Sequence, residues 1–201
     1  MFTGASPVLA APAPGAPGAP VPGGTVPFAA GSTAHAGAYT QLRTITALSA
    51  ERLATADLVA AAKWGTGAPI DDPAREQVVL DSVRLQAVEL GADPEATVRI
   101  FRDQIEANKL VQRGLHRLWT AEPGKAPVDR PDLAEVRKEI NRLNTALVRS
   151  IAEAADARST SYCRGALAVS VVQVRHEKGL DRLHTKGLAR AVPSVCADGV
   201  G

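Results

Sequence analysis

The sequence predicts an all-α fold, a bundle of about six helices behind a disordered N-terminal tail. Three observations predict it. Only 3% of residues are aromatic while 45% are hydrophobic, so the core is aliphatic and suits helices better than a sandwich or barrel. Apolar residues recur at steps of three and four through most of residues 40–191, with no strand pattern and no internal repeat. All 23 Lys or Arg and all 21 Asp or Glu residues fall in residues 43–201, which marks off the part able to fold. The net charge of +2 argues against bulk binding to nucleic acid. No apolar run reaches the roughly 18 residues that a membrane-spanning helix needs.

The tail comes first. Residues 1–37 hold 7 of the 14 prolines and 7 of the 17 glycines. Proline removes backbone donors and glycine raises the entropy that folding must overcome, so residues 1–39 read as a disordered tail or linker. Residues 40–201 are the folded domain. The start has no basic region and only the short apolar run Val8 to Ala11, so it is not a secretory leader as it stands. The small residues Ala10 to Ala13 have the character of a leader's remnant.

The first helix runs from about Thr40 to Trp64, where Gly65, Gly67 and Pro69 break it. The second starts near Asp72 with Pro73 at its first position and ends at Gly91. The third opens on Asp93-Pro94 and reaches Trp119. A loop from Glu122 to Pro131 follows. The fourth starts at Asp132, with Glu135 placed for a capping box, and runs to about Ala155. Two shorter helices follow, near Ser161 to Glu177 and Leu180 to Ala191, punctuated by Gly179.

Polar residues on apolar faces carry the functional information. In the first helix Ile45, Leu48, Arg52, Thr55, Val59 and Lys63 share one face, with Arg52 and Lys63 about 16 Å apart along the axis. In the third, Asn108 and Gln112 interrupt the stripe Phe101, Ile105, Leu115, Trp119. The second opens with Asp72, Arg75 and Glu76 on the side that continues as Val79 and Val83. On the fourth, Arg137 adjoins Leu133, Val136, Ile140, Leu143 and Leu147. A buried cation without a partner costs several kcal/mol. Two arrangements satisfy this set. One is an internal network in which Asp72 and Glu76 pair with some of Arg52, Lys63, Arg75 and Arg137. The other is a polar cavity that binds an anion, since four cations against two acids leave room for a dianion.

Other chemistry is thin. The four histidines have no metal-ligand spacing, so surface roles are expected and no metal site is assigned. No glycine-rich phosphate loop precedes a helix, and no nucleophile stands with a general base.

These residues resemble the AroQ-class chorismate mutases, in particular their exported gamma subclass. ERLATADLVAAAKWGTGAPIDDPARE is similar to that family's opening helix, turn and second-helix start. VRIFRDQIEANKLVQ resembles its third-helix signature, and PDLAEVRKEINRLN the fourth helix of the gamma subclass. The resemblance spans roughly Thr44 to Cys196. It implies that residues 40–156 form the catalytic helices and residues 157–201 a C-terminal extension, with Cys163 and Cys196 in a disulfide. Asn108 departs from the pattern, standing where Ser or Thr is usual. Gln112 is one of two alternatives there, the other being Glu.

The resemblance implies an isomerase that rearranges chorismate, a dicarboxylate, to prephenate without cofactor or metal. Such an enzyme holds a flexible dianion in its reactive shape and stabilises charge on the breaking ether oxygen. It implies that Arg52 and Arg137 clamp carboxylates and that Arg75 adds a polar contact. Lys63 and Gln112 would donate to the ether oxygen, Glu76 would hold the ring hydroxyl, and Asp72 and Asn108 would orient neighbours or substrate. Lys63, Gln112 and Arg52 are the expected catalytic residues. The resemblance also implies a secreted or periplasmic homodimer with each pocket within one chain, and no nucleic-acid or membrane partner. Two other readings are a lyase on the same scaffold, cleaving pyruvate from isochorismate, and a non-catalytic exported helical protein.

Overall fold

The computed structural model describes residues 1, 3, 4 and 29–197. Of the expected tail, residues 2 and 5–28 lie outside the described residues. Helix α1 (Ala29–Lys63) starts ahead of the expected Thr40. The segment from Ala29 to Tyr39 has no proline and is rich in alanine, and extending a formed helix adds a hydrogen bond for each residue fixed. The Tyr39 hydroxyl is tied to Gln173, which anchors that early turn.

Helices α2 (Pro73–Glu89), α3 (Pro94–Ala121) and α4 (Leu133–Glu153) follow, then α5 (Ala155–Arg158), α6 (Cys163–Glu177) and α7 (Arg182–Ala191). No strand forms among the described residues. The helices number seven rather than about six because the chain breaks at Ala154 and leaves α5 as a separate turn. The N-caps of α2 and α3 are Asp72 and Asp93, each accepting from backbone N–H groups of the first turn. Asp132 caps α4 through the Ala134 N–H, but the expected capping box does not close, because Glu135 accepts from Lys138 instead. Gly91, at φ +69°, takes the left-handed turn that lets the chain leave α2 and re-enter as α3.

At 1.5 Å per residue α1 is about 52 Å long, and it packs against α3, α4, α6 and α7. Its buried face carries Leu42, Ile45, Leu53, Ala56 and Ala60. Helix α3 supplies Val98, Ile100, Phe101, Ile105 and Val111, and α4 supplies Leu143, Leu147, Val148 and Ile151. The approach of α7 requires Gly187: a Cβ there would lie 2.9 Å from side-chain atoms of both Leu53 and Val111. A disulfide joins Cys163, the first residue of α6, to Cys196. Closing that loop stabilises the fold by about 3–4 kcal/mol on the chain-entropy estimate. Among the described residues no helix is long and apolar enough to cross a membrane.

Two histidines leave the surface roles expected of them. His116 packs edge-on against Trp64 and hydrogen-bonds the Ala60 carbonyl. His184 pins α7 to α1: Nε2 lies 2.8 Å from Asp57 Oδ1 and Nδ1 lies 2.9 Å from Asp181 Oδ1. The hydrogen bond to Asp57, opposed by burial and reinforced by Asp181, raises His184 to about 9. A group whose folded pKa is raised contributes stability fully below its unfolded pKa, here near 6.5, and loses it as pH rises through the folded value. The urea midpoint should therefore fall between pH 6.5 and pH 9.5. His184→Gln should flatten that decline, and an unchanged slope would detach His184 from it.

Candidate active site

Where α1, α2, α3 and α4 converge they enclose a cavity of about 120 Å³. All eight expected site residues line it: Arg52 and Lys63 from α1, Asp72, Arg75 and Glu76 from the start of α2, Asn108 and Gln112 from α3, and Arg137 from α4. Val59, Val79, Ile105 and Ile140 supply apolar wall.

Arg52 is 4% exposed and has no carboxylate partner among the described residues. Its Nε donates to Asn144 Oδ1 at 2.8 Å and its Nη1 to the Gln104 carbonyl at 3.1 Å. The guanidinium also lies over the Phe101 ring, 5.8 Å from its centroid. Burial pushes Arg52 down to about 10, so it is charged at neutral pH. Lys63 Nζ donates to the Pro69 carbonyl at 2.8 Å and more weakly to that of Ile70 at 3.3 Å. Burial holds the ammonium below its ordinary value, with Arg137 adding to the effect and Asp72 opposing it. Arg75 and Arg137 make no side-chain hydrogen bond or ion pair among the described residues.

The acids are engaged elsewhere. Asp72 Oδ1 accepts from the Arg75 backbone N–H as the α2 cap. Glu76 pairs at 3.1 Å with Lys109, a lysine the stripe reading passed over. Lys109 is buried and also meets Glu106 at 2.6 Å and Asp71 at 3.3 Å. Burial opposes its charge, but the three carboxylates outweigh burial and raise its pKa. The internal network that sequence allowed, with Asp72 and Glu76 pairing with some of Arg52, Lys63, Arg75 and Arg137, does not form among the described residues. Five cations and two carboxylates line the cavity, and Glu76 is held by the one cation not foreseen.

Asn108 and Gln112 form a directed relay. Asn108 Nδ2 reaches the Arg52 carbonyl at a long 3.5 Å, which turns its Oδ1 toward Gln112. Gln112 Nε2 donates to that Oδ1 at 2.6 Å. An amide nitrogen has two hydrogens, so one N–H of Gln112 is left to donate into the cavity. Gln112 Oε1 is buried without a hydrogen-bond partner.

Two residues of this site escaped the sequence reading, and both had a signal. Lys109 continues Phe101 and Ile105 at steps of four. Asn144 stands between Ile140 and Leu147 at steps of four and three, an amide on an apolar face as Asn108 is. Among the described residues no group of three or more His, Cys, Asp or Glu side chains gathers to hold a metal ion.

The sequence and the fold both match known proteins. The family model described as chorismate mutase type II matches residues 43–113. The secreted chorismate mutase of Mycolicibacterium smegmatis is 36% identical over 148 residues, 74% of this chain and 82% of the relative. That of Mycobacterium tuberculosis is 31% identical over 163 residues, 81% of this chain and 82% of the relative. The crystal structure of a chorismate mutase from Burkholderia thailandensis superposes with a TM-score of 0.75 at 34% identity, covering 78% of this chain and 99% of that one. On this agreement of sequence and fold, the chain belongs to the AroQ chorismate mutase family, a family of isomerases.

Proposed function

We propose that the cavity binds chorismate as a dianion and rearranges it to prephenate, with the catalytic work done by shape and charge. The observation that carries this reading is Arg52, a buried guanidinium whose partners are all neutral, beside three further cations that lack carboxylate partners. The rearrangement breaks the ether C–O bond as a C–C bond forms, and no proton moves. The site therefore needs no nucleophile and no general base.

In this reading Arg52 and Arg137 take the two carboxylates, and Arg75 adds a polar contact. Lys63 and the remaining Gln112 N–H donate to the ether oxygen, where negative charge grows. Preorganised donors aimed at developing charge are worth most in a site that excludes water. Glu76, steadied by Lys109, accepts from the ring hydroxyl. Asp72 positions Arg75 through the helix cap, and Asn108 positions Gln112.

We read the protein as acting outside the cytoplasm, as a homodimer. The word "secreted" in the names of its relatives and the Cys163–Cys196 disulfide support that location. The row Val78, Leu85 and Val88 on α2 is exposed and apolar, a surface for a second copy to cover. All eight site residues come from one chain, which supports a pocket complete within each protomer.

Incubation with chorismate should yield prephenate, and chelators should not slow it. Lys63→Ala should lower kcat/KM by two or more orders of magnitude while the thermal midpoint holds. Folded parent protein that leaves chorismate unchanged would remove the reading, and near-normal turnover by Lys63→Ala would remove the lysine's role.

Gln112→Glu tests the ether contact. A carboxyl group donates only when protonated, so kcat/KM of this variant should fall as pH rises from 5 to 8, while the parent stays flat. Superimposable profiles would mean that residue 112 does not face the ether oxygen.

Asn144→Leu should strand the Arg52 Nε and let the guanidinium swing. We expect kcat/KM to drop at least tenfold, with Asn144→Gln retaining more activity because it keeps a neutral amide acceptor. Equal activity in the two variants would deny Asn144 a role in placing Arg52.

A further inference from the structure

A second and larger cavity, of about 450 Å³, lies at the other end of α3 and shares no residue with the first. The two are separated along α3 by about 9 Å from Arg99 to Ile105, at 1.5 Å per residue. It is bounded by the start of α3, the end of α4, α5 and the segment that runs into Cys196.

Its chemistry is set by Arg99, Arg158 and Asp93. Arg158 is 6% exposed, so nearly the whole side chain has left water. Its Nε donates to the Val195 carbonyl at 2.7 Å. Its two Nη atoms have no hydrogen-bond or ion-pair partner among the described residues. Burial lowers its pKa, Asp93 opposes that, and Arg99 adds like-charge repulsion. Among the described residues Asp93 is the one acid in the lining, and its Oδ1 is occupied by the Glu95 and Ala96 N–H groups as the α3 cap. Arg158 lines the cavity with its Nε already engaged, so its Nη groups are the donors left for an acceptor there. The rest of the wall is partly apolar, with the exposed Ala155 and Pro193 among its residues.

We propose that this cavity is a second ligand site, taking a small monocarboxylate whose oxygens meet Arg158 and Arg99 and whose apolar body rests against Ala155 and Pro193. One negative charge is the number that two arginines and one aspartate leave unbalanced. A guanidinium offers paired donors that match a carboxylate's two oxygens. The apolar wall separates the expected ligand from a bare inorganic ion: benzoate should bind more tightly than acetate.

The test is a titration of the full ¹⁵N-labelled chain with benzoate and with acetate, following backbone amide shifts. Saturable shifts are expected at Ala92, Ser159 and Ala197, with the benzoate dissociation constant at least fivefold below that of acetate. Arg99 is exposed, so Arg99→Gln should fold normally and weaken benzoate at least tenfold at these amides. Shifts confined to Lys63 and Gln112 would overturn the proposal, since the anion would then be entering only the first cavity. Equal affinity for the two carboxylates, or an unaltered response in Arg99→Gln, would overturn it as well.

Discussion

The structure depends on one unusual placement, a guanidinium buried at the centre of the bundle with only neutral partners. Taking Arg52 out of water is costly, and an acid beside it would be the common remedy. Here an amide, a backbone carbonyl and an aromatic face hold it instead. Neutral dipoles fix the guanidinium in place without cancelling its charge. The charge stays available to whatever enters the cavity, and a dicarboxylate entering it regains the Coulomb energy that the fold gave up.

The remaining architecture follows from keeping that charge placed. One long helix supplies both Arg52 and Lys63, so their separation is as rigid as the helix. The α2 cap brings Asp72, Arg75 and Glu76 in as one unit, because the capping hydrogen bond ties the acid to the Arg75 backbone. Lys109 diverts Glu76 from the other cations with an ion pair inside the protein. The relay from Arg52 through Asn108 to Gln112 links a residue expected to bind a carboxylate with one expected to act on the ether oxygen. Helix α7, drawn close by Gly187 and pinned by His184, backs the same helices from the opposite side.

Much of this was legible in the sequence, because a helix turns a spacing of three or four into a shared face. Arg52, Lys63, Asn108 and Gln112 broke apolar stripes, and the structure brings them together. The caps of α2 and α3 were readable from Asp-Pro pairs, a local signal that tertiary packing did not disturb. Lys109 and Asn144 were not found. A lysine beside two candidate residues reads as solvated, and only the packing of α2 against α3 supplies its carboxylates. Asn144 could not be told from an exposed amide until α4 was laid against α1. The early start of α1 is not legible because the proline-rich composition upstream, and Gly31 and Gly37 within the segment, mask a run that is otherwise rich in alanine and free of proline.

If the cations of the first cavity await a dianion, their proton affinity must rise when one binds. Calorimetry of prephenate binding, in two buffers of different ionisation enthalpy, measures that linkage directly. The account predicts proton uptake near pH 10, where burial holds Arg52, and none at pH 7. Binding at pH 10 with no proton uptake would contradict it, because the cavity's cations would then not be the groups that meet the carboxylates.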